Sequence, residues 1–155
     1  MSPRWEHNPE VRRGAHVAYH LHAHLVFVTK YRRGVFTAQM LVRCEEIMRD
    51  VCADFGAELK QFNGEHDHVH LLVHYPPKVA LSKLVNSLKG VSSRYLRQEF
   101  TGQVNRNIMH GRFWSGSYFA GSVGGAPLEI VRRYIQAQER PGRQPEGWWG
   151  DSPTG

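Results

Sequence analysis

Residues 67–77 read DHVHLLVHYPP, and the alternation inside this run decides the fold. Val69, Leu71, Val73 and Tyr75 fall on one side of an extended chain and His68, His70, Leu72 and His74 on the other, because successive strand side chains point to opposite faces. Pro76-Pro77 closes the run. Working backwards, residues 57–63 form another strand, joined through Gly64 in a way that suits an antiparallel hairpin. Further upstream, His16 to Tyr31 alternates in the same manner, with Val17, Tyr19, Leu21, Ala23, Leu25 and Phe27 set against His16, His20, His22 and His24.

Helical spacing fills the intervals. Met40, Leu41, Cys44, Ile47, Met48, Val51 and Phe55 recur at three and four residues, with Thr37 placed to cap the start and Gly56 after the end. A second helix is predicted from about Leu81 to Phe100, striped by Leu81, Leu84, Leu88, Val91, Tyr95 and Leu96. Phe113 to Val123 is aromatic and glycine-rich and predicts a fourth strand; Gly124-Gly125 break it, and Pro127 opens a last helix to about Glu139. The order β-α-β-β-α-β-α begins with the split β-α-β, ferredoxin-like pattern, an α+β antiparallel sheet with two helices on one face. The histidine side of the central strand then points to the face those helices leave open, where the additional C-terminal helix can return.

One domain accounts for the 155 residues, with an ordered core at about 15–140 and arms containing proline at both ends. Twenty Lys and Arg against fourteen Asp and Glu give a net charge of +6 and a pI of about 9.6, which favours an anionic partner. The basic residues are spread along the chain and interleaved with aromatics, as on a folded nucleic-acid surface. Cys44 and Cys52 lie in the first helical pattern and are expected to be reduced core residues. No apolar run has the length of a membrane span and Met1 to Arg13 lacks the apolar stretch of a secretory signal, so a cytoplasmic protein is expected.

His68-Val69-His70 puts two imidazoles on one side of a strand, close enough to ligate one cation, although an isolated pair of this kind is more often just polar residues on an exposed strand. On the last helix, Tyr134 and Gln138 lie one turn apart, flanking Leu128, Val131 and Ile135. A tyrosinate facing a metal-polarised phosphate can attack phosphorus and leave a covalent phosphotyrosine; packing at the margin of the core is the commoner fate of such a tyrosine.

Four segments carry a resemblance: HLVFVTKYRRGVF at 24–36, DHVHLLVHYPP at 67–77, LSKLVNSLKGVSSRYLR at 81–97, and FWSGSYFAGSVGG with VRRYIQAQ within 113–138. In their order and spacing, the chain resembles the single-tyrosine HUH (His-hydrophobic-His) transposases of bacterial insertion sequences, including REP-associated relatives. The resemblance implies that Tyr134 is the nucleophile, that His68 and His70 ligate Mg²⁺ or Mn²⁺, and that Gln138 is the third protein ligand. It also implies single-stranded DNA with hairpins as substrate, a 5′-phosphotyrosine intermediate, and a homodimer with active sites shared between subunits, Gly124-Gly125 serving as a joint. Asp67 takes a structural or supporting place.

Lys30, Arg32, Arg33, Lys89 and Arg94 are candidate phosphate contacts, and Trp114, Tyr118 and Phe119 are candidates for stacking on bases or for the core. A metal role for the additional histidines His20, His22, His24 and His66 requires the first strand to lie beside the central one on the same face. His7 and His110 receive no role. Two readings stand beside the transposase: a non-catalytic single-stranded nucleic-acid binder, which should carry aromatics where His68 and His70 stand, and a metal nuclease, which should carry a carboxylate cluster. A domesticated relative nicking repeated palindromes would keep every catalytic residue.

Overall fold

The computed structural model describes residues 12–13, 18–108, 111–122 and 128–138. Arg12–Arg13 (β1) and Ala18–Tyr19 (β2) pair as a short ribbon ahead of His22–Val28 (β3) and Ala38–Asp54 (α1). Glu58–Gly64 (β4), His68–His74 (β5), Leu81–Glu99 (α2), Thr101–Ile108 (α3), Phe119–Ser122 (β6) and Leu128–Ala137 (α4) follow. The four longer strands form one sheet in the order β4-β5-β3-β6, every neighbouring pair antiparallel, which is the ferredoxin-like arrangement the sequence predicts. The hairpin at Gly64 is present, closed by the Glu65 amide donating to the His68 carbonyl at 2.9 Å.

The two faces have different cores. Ala23, Leu25 and Phe27 of β3, with Val69, Leu71 and Val73 of β5, pack against Met40, Cys44, Ile47, Met48 and Val51 of α1 and Leu84, Val85, Leu88 and Leu96 of α2. Each fully buried aliphatic side chain of this kind contributes about 1.5–3 kcal/mol. Helix α1 starts where Thr37 accepts a hydrogen bond from the Met40 amide at 3.2 Å, and the chain leaves it through Gly56, whose φ of 72° suits a residue without Cβ. On the other face a smaller cluster joins Val26 and Val28 to Val131, Tyr134, Ile135 and Ala137 of α4. Cys44 and Cys52 are free and buried, and burial pushes both thiols up, as the sequence predicts for inert core residues.

Several boundaries differ from expectation. The first strand begins at His22, not His16, with Ala18–Tyr19 split off into the ribbon. The fourth strand pairs only from Phe119, because Phe113 and Trp114 turn inward: Trp114 bridges to Thr29 and is buried. The sequence does not predict helix α3; its polar stretch sends Val104 into the main core and is tied down by Gln103, which donates to the Val35 carbonyl at 3.0 Å. In α2, Val85 and Ser92 are buried while Tyr95 stays 37% exposed between Arg43 and Arg94, so the buried stripe is rotated from the one expected. His74, expected on an open face, is fully buried, stacked on His22 (ring centroids 4.3 Å apart, 15° between planes) and met edge-on by Tyr19 at 5.4 Å. Residues 1–11 and 139–155, Gly124-Gly125, Pro127, His16 and His110 lie outside the described residues, whereas Arg12–Arg13, expected in the N-terminal arm, pair in the ribbon. No described helix is long and apolar enough to cross a membrane.

Candidate active site

Strand register places the histidine pair. His68 is opposite Val28 and His70 opposite Val26, and paired residues of an antiparallel ladder project to the same side. Val26 and Val28 are the residues that α4 covers, so both histidines share a sheet face with α4, one strand spacing (about 4.8 Å) away from its contact line. The two rings meet edge to face with centroids 4.9 Å apart. A depression of about 280 Å³ opens beside His70, lined also by His24, Gln61, Asn63 and Leu72.

Asp67 orients the pair. Its carboxylate lies 2.7 Å from His68 Nδ1, a separation that calls for the proton on Nδ1, so that in the neutral tautomer the lone pair lies on Nε2. Arg32 Nε donates to the other carboxylate oxygen at 2.8 Å. Burial pushes the Asp67 carboxyl up, but the hydrogen bonds from His68 and Arg32, with the attraction of His66 and His68, outweigh it and hold the group at about 2. Thr29 braces the same corner, donating through its amide to the Asp67 carbonyl at 3.0 Å and through Oγ1 to the Arg33 carbonyl at 2.7 Å. His70 is lowered to about 4, first by burial and then by the neighbouring His68 and His24, so its imidazole is neutral and able to act as a ligand at neutral pH.

Tyr134 and Gln138 come to this face on α4, but each is tied to the loop before β6. Tyr134 is 1% exposed; its hydroxyl is 2.8 Å from Ser117 Oγ and its ring lies 6.0 Å from that of Phe119. Burial pushes its phenol up to about 12, with the Ser117 hydrogen bond pulling the other way. Gln138 Oε1 accepts from Ser115 Oγ at 2.6 Å, and the Ser115 amide donates to the Val28 carbonyl at 2.7 Å, opposite His68. Ser115 and Ser117 were not singled out in the sequence: no periodicity marks a loop serine as the partner of a helix residue.

The basic candidates separate by surroundings. Lys30 and Arg33 flank the Tyr31 ring at 5.1 and 5.9 Å, in a turn where Tyr31 and Arg32 have φ of 59° and 58°, and Arg94 is exposed beside Tyr95. Arg32 braces Asp67. Lys89 Nζ donates to the Ser115 and Ser117 carbonyls at 2.8 and 3.2 Å, and burial, with Arg112 nearby, lowers it to about 8. Trp114 is a core residue whose Nε1 donates to Ser92 Oγ at 3.0 Å, while Tyr118 packs on the main core and Phe119 on the α4 cluster. β3 does lie beside β5, so His24 also stacks near His70 at 5.6 Å. Among the described residues, however, no group of three or more His, Cys, Asp or Glu side chains is arranged to hold a metal.

Sheet order, two helices on one face and a further helix returning to the other define the α+β class shared with solved transposases. Residues 17–138 match the family model described as "Transposase IS200 like", and the chain belongs to that family of insertion-sequence transposases. It is 30% identical over 129 residues to the ISDra2 transposase TnpA of Deinococcus radiodurans, covering 83% of this chain and 91% of that one. It is 31% identical over 124 residues to the transposase for insertion sequence element IS200 of Salmonella typhimurium, covering 80% of each. The crystal structure of a putative transposase from Deinococcus radiodurans superposes with a TM-score of 0.76 at 29% identity, over 83% of this chain and 98% of that one. A REP-associated tyrosine transposase bound to a REP hairpin shares the fold, with a TM-score of 0.51 at 12% identity over 88% of this chain and 70% of that one.

Proposed function

We propose that this transposase cuts and rejoins single-stranded DNA at hairpin-bearing element ends, with Tyr134 as nucleophile and with His68, His70 and Gln138 holding a divalent cation. The observation that carries the reading is the Asp67–His68 bond, which leaves His68 Nε2 available on the sheet face that α4 covers. A carboxylate behind a histidine is the usual way a protein orients a metal-binding imidazole. Two imidazole nitrogens and a carboxamide oxygen make a mixed donor set that suits Mn²⁺ somewhat better than Mg²⁺. When bound, the cation would polarise the scissile phosphate and stabilise its developing charge.

The chain's own groups account for the rest. Tyr134 Oη loses its proton and bonds to phosphorus, the bond from phosphorus to the 3′-oxygen breaks, and that oxygen takes a proton and leaves as a 3′-hydroxyl. The DNA remains attached as a 5′-phosphotyrosine ester, and a 3′-hydroxyl attacking that ester rejoins the strand without hydrolysis. Lys30, Arg33 and Arg94 serve as phosphate contacts that hold the strand, while Arg32 acts through Asp67 and Lys89 through the loop before β6. The working form is a homodimer in which α4 of one subunit completes the histidine pair of the other.

The test is to incubate the full chain with single-stranded hairpin DNA and Mn²⁺ and to look for a denaturation-resistant protein–DNA adduct. Wild type forms it, Tyr134→Phe does not, and the His68→Ala/His70→Ala double variant loses metal-dependent cleavage. A Tyr134→Phe protein that still cuts and leaves a free 5′-phosphate would sink the tyrosine mechanism in favour of a metal nuclease.

A further inference from the structure

The strand beside the histidine pair changes register. Along β4, Leu59 pairs with Val73 and the next paired residue is Gln61, opposite Leu72, so Lys60 is left over in a β-bulge. Strict alternation from buried Leu59 would turn Gln61 inward and Phe62 outward. The extra residue reverses that parity: Phe62 packs on the main core, while Gln61 and Asn63 stand opposite Leu72 and His70 on the histidine face. Bulges recur next to active sites because they re-aim side chains in this way.

Both carboxamides border the depression of about 280 Å³ beside His70. Asn63 is the cross-strand partner of His70, one strand spacing (about 4.8 Å) away, on the side opposite the line of Val26 and Val28 that α4 covers. Gln61 and Asn63 are exposed, and among the described residues neither side chain has a hydrogen-bond partner. The rest of the wall includes Leu72 and the His24 ring, which lies 5.6 Å from that of His70 and 22° from parallel to it. Among the described residues, no Lys, Arg, Asp or Glu lines the depression. Such a wall offers no fixed charge to hold a phosphate; it suits a neutral ring with apolar faces and a polar edge. A carboxamide presents both donors and an acceptor, and Asn or Gln pairs bidentately with N6 and N7 of adenine.

We propose that Gln61 and Asn63, set on the histidine face by the β4 bulge, form with His24 and Leu72 a subsite for the base next to the scissile phosphate, and that this subsite prefers adenine. Its place in the reaction rests on the cleavage reading above: with the phosphate at His68 and His70, the adjoining base reaches the β4 carboxamides without leaving the sheet face. The protein then reads one nucleotide of the single strand directly, through side chains that touch the base and not the reacting atoms.

Fluorescence anisotropy of the full chain with labelled oligo-dA, oligo-dT and oligo-dC single strands of equal length, in EDTA, tests it; a homopolymer presents the same base in every register. Wild type binds oligo-dA about tenfold more tightly than either pyrimidine strand, the discrimination that one bidentate pair supplies. Gln61→Ala/Asn63→Ala weakens oligo-dA alone and brings the three affinities together, since no phosphate contact is lost; the retained oligo-dT affinity shows that the variant is folded. The isosteric Gln61→Glu/Asn63→Asp has carboxylates that accept from cytosine N4 but cannot donate to adenine N7, and it binds oligo-dC more tightly than oligo-dA. Equal affinities in wild type overturn the subsite, as does a pyrimidine preference or an adenine preference that the Ala double variant keeps. With no metal and no cleavage, the titration does not depend on Tyr134 or on a cation, so Tyr134→Phe keeps the preference. A failed adduct test with the adenine preference intact removes the cleavage reading and leaves the base subsite standing.

Discussion

Replacing Asp67 with Asn keeps the side-chain shape but removes the charge that accepts from both His68 and Arg32. In the folded chain this carboxyl sits at about 2 against an ordinary value of 3.8, which corresponds to about 2 kcal/mol of folding stability at neutral pH. The sign follows from the direction: a carboxyl depressed by folding stabilises the protein above its unfolded value, and that contribution fades as pH falls from about 4 through about 2. For a chain of this length Asp67→Asn lowers the melting temperature by about 4–8 °C at pH 7, and the gap from wild type closes in acid. His68 also loses the acceptor that selects its tautomer, so Mn²⁺ binding weakens by roughly 10–100-fold. Paired thermal melts from pH 7 down to pH 2 and a calorimetric Mn²⁺ titration read the two effects separately. An Asn variant that binds Mn²⁺ as tightly as wild type, or whose stability gap persists unchanged into acid, refutes the reasoning.

Trp114→Ala removes a buried ring and its bond to Ser92, costing about 3–5 kcal/mol of stability in urea unfolding, while the DNA affinity of the folded fraction is unchanged; a selective loss of affinity would restore the base-stacking role. Thr37→Ala removes the α1 cap and costs about 1 kcal/mol, seen as a lower urea midpoint with an unaltered slope.

Much of the fold was legible because its periods are local. The period-two runs in β3 and β5 and the helical stripe of α1 assign residues to faces whatever the rest of the chain does, and the main core follows them. α3 escaped because a short, mostly polar segment carries no clear stripe; its place depends on Gln103 reaching Val35, 68 residues away in sequence. The fourth strand was overestimated because an aromatic run reads the same whether it pairs in a sheet or, like Phe113 and Trp114, turns into a core. His74 was read as an open-face residue because alternation assigns a side and not what covers it; the chain at Tyr19 and His22 does the covering.

The same division runs through the site. The sequence by itself determined that His68 and His70 share one side of a strand and that Tyr134 and Gln138 stand one turn apart on a helix, since both follow from backbone geometry over a few residues. Only the tertiary structure decided that α4 lies on the histidine face, that Asp67 selects the His68 tautomer with Arg32 behind it, and that Ser115 and Ser117 hold the two α4 side chains. Those serines lie 23 and 17 residues from the side chains they hold, and the register of β3, β5 and β6, not any repeat along the chain, brings them within hydrogen-bonding distance.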